Sequence, residues 1–325
     1  MTKRAVEVQE AMNTMGQKGA PFLVIIDYAM ENPLILPLDE CASEGVFFQF
    51  PGATNCPRSV GPRPQVHLEK KPVSFERYNE AFNLVMRHIH DGNSYLVNLT
   101  FPTPITINLR LDEVFAHSSA PFRLIVRDQF VVFSPERFVR VEAGTISTFP
   151  VKGTIDASLE NAEEILLADP KEKAEHVTVV DLLRNDLSMV ARRVRVERYR
   201  YVERVATHQK TLLQNSSQIT GDLEWNYHGR LGDILFTLLP AGSICGAPKL
   251  KTLTIIAEAE QSPRGFYTGI CGLFDGKDFD SCVMIRFIEK RGTSLLFRSG
   301  GGITHASRAE AEYRELVDKV YVPIV

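Results

Sequence analysis

The feature that most constrains the fold of this chain is a set of long strand-like runs that come in neighbouring pairs. Three pairs of apolar and β-branched runs are separated only by short breaks: 122–127 with 129–134, 193–206 with 210–224, and 281–290 with 293–299. Such neighbours form antiparallel hairpins, because parallel strands need a long crossover between them. We therefore expect an α+β fold in which large antiparallel β-sheets pack as a sandwich with flanking helices.

The rest of the chain adds further strands and helices around these pairs. Other strands are predicted at 22–28, 33–38, 45–50, 94–101, 137–149 and 266–274. Helices are predicted at 4–15, 74–91, 157–168, 170–188, 229–238, 247–260 and 308–321. No repeat, low-complexity run or long linker interrupts them, so we predict one continuous structural domain, with a short β-rich segment at 1–73 packed on a core at 74–325.

Composition excludes several classes of function. The 37 basic and 40 acidic residues are mixed along the chain and leave a net charge of −3, which offers no basic stripe for nucleic acid. Apolar stretches such as 22–26 are far too short to span a bilayer, and residues 1–4 do not lead into a signal-peptide core, so we expect a cytoplasmic protein without a membrane partner. The five cysteines are widely spaced without a Cys-x-x-Cys, which indicates reduced thiols.

A lysine between a proline and a glycine is the first candidate for chemistry. Lys152 lies in the segment Pro-Val-Lys-Gly-Thr at the end of a predicted strand. Proline fixes the backbone before it and glycine permits a close approach after it, which suits an amine aimed at one place. A solvated turn lysine is the other interpretation of this segment, and the segment alone does not exclude it.

Two predicted helices each carry a pair of carboxylates beside an apolar stripe. Glu172 and Glu175 lie on a helix that Asp169 and Pro170 begin, and Glu312 and Glu315 lie on the last helix, where Ser307 and Glu310 form a predicted capping box. Carboxylates that border a buried face need a cation, and oxygen donors from two helices suit Mg²⁺. A solvated helix face is the alternative for each pair.

Two glycine-rich segments and one arginine suggest anion binding. The run from Gly242 through Ser243 to Lys249 places a proline at the start of a helix, where free backbone N–H groups attract a carboxylate or phosphate. The run 299–302 offers further backbone donors. Arg286 lies in an apolar strand and would be a costly buried cation unless a carboxylate met it. Tight turns and an outward-facing arginine remain the alternatives.

These motifs occur together, and in order, in one known family. From about Ser74 to the C-terminus, the chain resembles the chorismate-utilising enzymes, and among them the synthase subunit of aminodeoxychorismate synthases. The segments that carry the resemblance are 95–99, 134–138, 150–154, 174–176, 181–186, 246–249, 300–303 and 312–315. The resemblance implies the fold of anthranilate synthase component I.

The resemblance also implies a reaction. Ammonia would replace the C4 hydroxyl of chorismate to give 4-amino-4-deoxychorismate, the precursor of para-aminobenzoate and folate. Lys152 matches the lysine that attacks C2 of the ring, and Glu136 matches the general acid that protonates the departing C4 oxygen. This chemistry is reasonable because hydroxide leaves poorly without a proton.

Ligands follow from the same matches. Glu175 and Glu315 would hold Mg²⁺ on the ring carboxylate, with Glu172 and Glu312 beside them, directly or through water. The residues that match positions around the substrate are Ser243, Tyr267, Lys249, Arg286, Gly301 and Gly302. Gln214 stands where the family usually has a histidine, and it cannot donate a proton as an imidazolium does.

Related activities are separated by single residues. Anthranilate synthase component I, the runner-up, usually has a small residue where this chain has Lys152. Isochorismate and salicylate synthases place a water-activating lysine where this chain has Leu96, and an apolar side chain cannot activate water. A non-catalytic subunit that scaffolds a glutamine amidotransferase is a hypothesis of a different class. Since no cysteine here lies in a nucleophile-elbow context, we expect ammonia to come from a separate glutamine amidotransferase subunit.

Overall fold

A computed structural model describes residues 1–56, 61–206 and 211–324. The helices are α1 (Lys3–Gln17), α2 (Phe75–His90), α3 (Leu111–His117), α4 (Ala162–Ala168), α5 (Pro170–Ser188), α6 (Leu231–Leu238), α7 (Gly242–Cys245), α8 (Lys249–Glu260) and α9 (Ala309–Asp318), with a 3₁₀ turn at Tyr227–Arg230.

Strands account for most of the remaining chain. Those of the N-terminal half are β1 (Phe22–Ile26), β2 (Leu34–Pro37), β3 (Val46–Phe50), β4 (Ala53–Thr54), β5 (Leu68–Lys70), β6 (Leu96–Ile107), β7 (Phe122–Val126), β8 (Phe130–Ser134), β9 (Arg137–Glu142), β10 (Thr145–Thr148) and β11 (Val151–Asp156). Those that follow are β12 (Arg192–Ala206), β13 (Thr211–Asp222), β14 (Gly246–Ala247), β15 (Ile270–Phe274), β16 (Phe279–Val283), β17 (Phe287–Arg291) and β18 (Ser294–Ile303). The strand predicted at 210–224 corresponds to β13, and its first predicted residue, 210, lies outside the described residues.

The strands form two large antiparallel sheets, which confirms the predicted fold class. The first sheet has the order β11-β13-β10-β9-β16-β15-β1-β2, with β12 paired to β13. The second has the order β14-β6-β18-β17-β8-β7-β3-β4, with β5 paired to β6. Residues before Ser74 thus supply strands to both sheets.

Alternating side chains bury the two faces of each sheet. On β1, Leu23 and Ile25 face the second sheet, in a cluster with Phe48 and Phe122, whereas Val24 faces α1, α5 and α6. The other face of the second sheet is covered by α2, α8 and α9 in one region and by α3 in another. Each large apolar side chain that is fully buried contributes about 1.5–3 kcal/mol, so the helices are held to the sheets mainly by these faces.

The chain crosses between the sheets at two places that matter for the site. Residues 135–136 connect β8 in the second sheet to β9 in the first. Residues 284–286 connect β16 in the first sheet to β17 in the second, so the single strand predicted at 281–290 is wrong. Arg286 lies at this crossing with φ of +53° rather than on a strand. The run 283–288 is apolar apart from Arg286, and the strands that meet in it belong to different sheets. The sequence pattern therefore gives no sign of the crossing.

Three further boundaries differ from the sequence prediction. The strand at 137–149 is a hairpin of β9 and β10, turned at Ala143 and Gly144, both with positive φ. The strand predicted to end at 299 continues to Ile303, so the glycine run lies within β18. Helix α9 begins at Ala309 without a capping box: the Ser307 hydroxyl donates to Glu312 Oε1 at 2.7 Å instead.

Two other predicted helix starts agree with the structure, whereas the helix predicted at 157–168 begins only at Ala162, after the turns at 157–161. Ser74 caps α2 by accepting a hydrogen bond from Arg77 N, and Asp169 caps α5 by accepting one from Glu172 N at 2.9 Å. Within the described parts of the chain, no helix is both long and apolar enough to cross a membrane.

Candidate active site

A cavity of about 620 Å³ lies where the two sheets exchange the chain. It is bounded by the two crossings, by the start of β11 and by the end of β18. Of the residues singled out in the sequence, those that line it are Glu136, Lys152, Gln214, Ser243, Tyr267, Arg286, Gly301, Gly302 and Glu315. Residues far apart in the sequence therefore face one cavity.

Lys152 enters the cavity from a bulge in β11. The register of β11 against β13 shifts between Val151 and Thr154, and Gly153 between them has φ of +80°, a conformation that glycine adopts without strain. The Lys152 Nζ lies 3.5 Å from Glu175 Oε2. A Cβ added to Gly302 would lie 3.9 Å from the same amine. The lysine therefore points across the cavity toward β18 and is not a solvated turn residue.

Glu136 enters the cavity from the crossing between β8 and β9. The Ser243 hydroxyl donates to Glu136 Oε1 at 3.0 Å, and the Val283 N–H donates to the Glu136 carbonyl at 3.1 Å. Burial raises the pKa of the Glu136 carboxyl above its ordinary value, although the Ser243 hydrogen bond and the charge of Lys152 act to lower it. A carboxyl with a raised pKa keeps its proton to higher pH, as a general acid must.

The four predicted metal ligands come from two helices beside the cavity. On α9, Glu312 Oε2 and Glu315 Oε1 lie 3.5 Å and 3.6 Å from the position that a Cβ on Gly301 would take. On α5, Glu175 contacts Lys152, and Glu172 Oε2 lies 3.2 Å from the Cβ position of Gly153.

The donor type of these four residues fits Mg²⁺, which prefers carboxylate oxygens. Two carboxylates of α9 lie within 3.6 Å of one point, the position that a Cβ on Gly301 would take, which supports the fit. Among the described residues, however, no group of three or more such ligands is already gathered around one point. Glu175 and Glu315 instead lie against Lys152 and Lys319. The assignment of the metal ligands therefore stays a prediction.

The predicted substrate-binding groups surround the same space. Tyr267 is buried, and burial raises the pKa of its hydroxyl to about 12, so it stays a neutral donor at physiological pH. Arg286 stacks near the Tyr321 ring, and its Nε donates to Tyr321 Oη at 3.4 Å. Gly301 and Gly302 pair with Leu99 and Asn98 of β6, whereas the β17 pairing of β18 ends at Arg298. One edge of β18 is thus turned toward the cavity.

Lys249 is placed differently from the other predicted residues. Its amine lies 3.2 Å from Asp186 Oδ1 and donates to the Leu238 carbonyl at 3.0 Å. Among the described residues that line the cavity, Lys249 does not occur. Asp186 also accepts a hydrogen bond from the Gly242 backbone. The pair therefore supports the turn α7 that carries Ser243.

Lys319 and Asn98 are two of the lining residues that the sequence did not reveal. Lys319 contacts Glu315 at 2.5 Å and donates to the Gly300 carbonyl at 2.9 Å. Its position four residues after Glu315 on a helix is a signal that could have revealed it. Asn98 lines the cavity opposite Gly302. It lies in the segment 95–99 that carries the family resemblance, but its place in the cavity depends on the pairing of β6 with β18.

The chain is similar to a known protein family, to several curated proteins and to solved structures. A family model described as chorismate binding enzyme matches residues 38–324. An uncharacterized PabA-like protein of Pasteurella multocida is 51% identical over 318 residues, which cover 98% of both chains. Aminodeoxychorismate synthase component 1 of Klebsiella aerogenes is 36% identical over 267 residues, covering 76% of this chain and 57% of that one. The solved structure of anthranilate synthase component I from Streptococcus pneumoniae superposes with a TM-score of 0.67 at 26% identity, covering 78% of this chain and 58% of that one.

Proposed function

Because this chain belongs to the chorismate binding enzyme family, we propose that it is the synthase subunit of an aminodeoxychorismate synthase. It would convert chorismate and ammonia to 4-amino-4-deoxychorismate, on the route to para-aminobenzoate and folate. The observation that carries this proposal is the position of Lys152, whose amine faces the same cavity as the partly buried carboxyl of Glu136.

The two residues would share one displacement. The Lys152 amine forms a bond to C2 of the ring, the two conjugated ring double bonds both shift toward C4, and the C4–O bond breaks as Glu136 gives its proton to the departing oxygen, which leaves as water. Ammonia then forms a bond to C4, both double bonds shift back, the bond between Lys152 and C2 breaks, and the ammonium formed at C4 returns a proton to the Glu136 carboxylate. Each step is an allylic displacement, which divides one difficult substitution into two easier ones.

Charged and polar groups around the cavity would hold the substrate's two carboxylates. Arg286 and the Tyr267 hydroxyl are donors on one side, and the open edge of β18 at Gly301 and Gly302 supplies backbone donors on another. Ser243 orients Glu136 through its 3.0 Å hydrogen bond. Such positioning is the main way in which a site lowers the barrier of a displacement.

We propose that Glu175 and Glu315 hold Mg²⁺, with Glu172 and Glu312 beside them. A bound Mg²⁺ would neutralise the ring carboxylate and fix its orientation. Carboxylates from two helices, α5 and α9, beside the cavity support this assignment.

We propose that ammonia reaches the site from a separate glutamine amidotransferase subunit in the cytoplasm. The description of a 36% identical relative as component 1 of its enzyme is consistent with a second component. Leu96 argues against water as the nucleophile: it packs within 2.9 Å of the Cβ position of Gly302 and offers no base there.

Product analysis tests the proposed function. The purified chain is incubated with chorismate, ammonium and Mg²⁺, with and without a separate aminodeoxychorismate lyase. We expect para-aminobenzoate only when the lyase is present. Fluorescent anthranilate formed without the lyase would instead identify an anthranilate synthase, the activity named for the Streptococcus pneumoniae neighbour. A Lys251→Ala variant, altered at an exposed lysine of α8, is the matched control for variants of Lys152.

A further inference from the structure

A buried arginine outside the cavity is bonded to several segments that form its wall. Arg264 follows α8, and its side chain is 1% exposed. It makes a two-pronged ion pair with Glu260, with Nη2 to Oε1 at 2.6 Å and Nε to Oε2 at 3.0 Å. Glu260 Oε1 also accepts hydrogen bonds from the backbone N–H and the hydroxyl of Thr100 on β6.

The remaining donors of the guanidinium reach three separate parts of the cavity wall. Nη2 donates to the Asn98 carbonyl at 2.7 Å, and Nη1 donates to the Ile244 carbonyl at 3.0 Å and to Thr268 Oγ1 at 3.3 Å. Asn98, Ile244 and Thr268 all line the cavity, whereas Arg264 itself does not. One cation therefore joins β6, the turn α7 and the approach to β15.

Each of these contacts lies next to a group proposed to act on the substrate. Ile244 follows Ser243, which donates to Glu136. Asn98 is paired with Gly302 in the register of β6 and β18. Thr268 follows Tyr267. Ile244 and Thr268 are thus fixed one residue away from a group of the site, and Asn98 is fixed on the strand beside Gly302.

Thr268 also has a backbone conformation that requires support. Its φ is +61°, a region that is rare and strained for a β-branched residue. The Thr268 N–H donates to the Met284 carbonyl at 2.9 Å, and the Arg264 contact fixes its hydroxyl. Strain of this kind persists only where the surroundings enforce it, and the Thr268 hydroxyl also donates to the Tyr267 carbonyl at 2.6 Å.

We propose that Arg264, held by Glu260, is a positioning residue for the active site: it fixes Ser243, Tyr267 and the Asn98–Gly302 pair around one substrate. The inference rests on the proposed function only in that the cavity binds chorismate. A lysine could not replace it, because the planar guanidinium satisfies acceptors in three directions whereas an ammonium carries three donors on one atom. The Tyr28 ring, 4.6 Å from the guanidinium, covers its remaining face.

The test compares Arg264→Lys with a matched control. Arg298→Lys removes another buried guanidinium, which pairs with Glu289 at 2.6 Å and does not line the cavity. Glu260→Gln, which leaves Arg264 in place, serves as a second and milder variant if Arg264→Lys does not fold. Each protein is checked for folding by circular dichroism and urea unfolding, and rates are given per folded molecule.

Three readouts are then measured: kcat and KM for loss of chorismate, the pH profile of kcat, and chorismate affinity by calorimetry. Chorismate loss and affinity do not depend on which product forms, so an anthranilate product would refute the proposed function and still leave this inference tested.

For folded Arg264→Lys we expect kcat/KM to fall roughly 10²-fold, since a misplacement of about 1 Å has that effect. The alkaline limb of the pH profile should also move to higher pH, because a displaced Ser243 no longer lowers the pKa of Glu136. Glu260→Gln should shift the same quantities by less, and Arg298→Lys should lower stability while kcat and KM stay within about twofold of wild type.

The proposal would be overturned if folded Arg264→Lys keeps the wild-type kcat, the wild-type KM and the wild-type alkaline limb of the pH profile. If the lysine variant does not fold, the same result in Glu260→Gln would overturn it. An equal loss of kcat/KM in Arg298→Lys would overturn it too, because the effect would then be a general consequence of losing a buried ion pair.

Discussion

Replacing Glu136 with glutamine separates proton donation from every other role of this residue. The variant keeps the size of the side chain, and its amide oxygen can still accept the 3.0 Å hydrogen bond from Ser243. The Ser243 hydroxyl therefore keeps its acceptor, so the fold should be retained. What is lost is the proton that the departing C4 oxygen needs.

The expected loss can be estimated from this single role. General acid catalysis contributes about 10²–10⁴ in rate, which corresponds to roughly 2.7–5.4 kcal/mol in the barrier. We therefore expect kcat of Glu136→Gln to fall by about that factor with a small change in KM. The assay measures initial rates of chorismate loss at saturating ammonium and Mg²⁺, and Glu136→Asp, which keeps a proton but shortens the side chain, is the comparison.

The pH dependence follows from the sign of the pKa shift. Because burial raises the pKa of Glu136, the active protonated form is lost as pH rises through that pKa, and wild-type kcat should decline on the alkaline side. Ionising this carboxyl in the folded state is unfavourable, so the wild-type protein should lose stability relative to Glu136→Gln as pH rises from the ordinary pKa of a glutamate to the raised one. Below the ordinary pKa the difference in stability should no longer change with pH.

A retained rate would refute this reasoning. If Glu136→Gln keeps at least half of the wild-type kcat, or if the alkaline decline persists unchanged in the variant, Glu136 is not the acid. Ser243→Ala provides an independent check: the Ser243 hydrogen bond lowers the pKa of Glu136, so its removal should move the alkaline limb to higher pH. A shift to lower pH would contradict the assigned geometry.

Two more predictions concern the metal and the backbone. Glu315→Gln should raise the Mg²⁺ concentration for half-maximal rate by at least about tenfold, since even indirect partners of a metal ligand have effects of that size; a titration that matches the exposed control Glu163→Gln would remove Glu315 from the metal site. Gly153→Ala should lower the free energy of unfolding by about 1–2 kcal/mol for its left-handed φ, with a further cost because its Cβ would lie 3.0 Å from a Leu166 methyl and 3.2 Å from Glu172. Urea unfolding compares Gly153→Ala with Gly92→Ala, where φ is +73° but no atom lies within 4 Å of the added Cβ. The difference between the two losses of stability measures the further cost, and equal losses would refute it.

Local patterns in the sequence were sufficient for the class of fold and for many element boundaries. Paired strand-like runs predicted antiparallel sheets because hairpin partners lie close in the chain, and the caps at Ser74 and Asp169 marked helix starts by local hydrogen bonding. The crossing at 284–286 could not be predicted in this way. Its residues are apolar before and after the crossing, and only the pairing of β16 and β17 with different partners reveals it.

The candidate site could be predicted where local sequence motifs contain the chemically active residues. Lys152, Glu136 and Glu315 line one cavity, and the roles that the family resemblance implies for them stay predictions. Lys249 pairs with Asp186, which lies on another helix. Asn98 and the contacts of Arg264 depend on long-range packing, and no spacing in the sequence encodes such contacts.

The central claim is that Lys152 forms a covalent bond to the ring of chorismate. Intact-mass spectrometry of the protein incubated with chorismate and Mg²⁺ in the absence of ammonia tests it most directly, with Lys152→Ala and Lys251→Ala as paired variants. The account predicts an adduct with the mass of chorismate minus water, mapped to the peptide that contains Lys152, present in Lys251→Ala and absent in Lys152→Ala. A Lys152→Ala protein that forms 4-amino-4-deoxychorismate at the wild-type rate would contradict it.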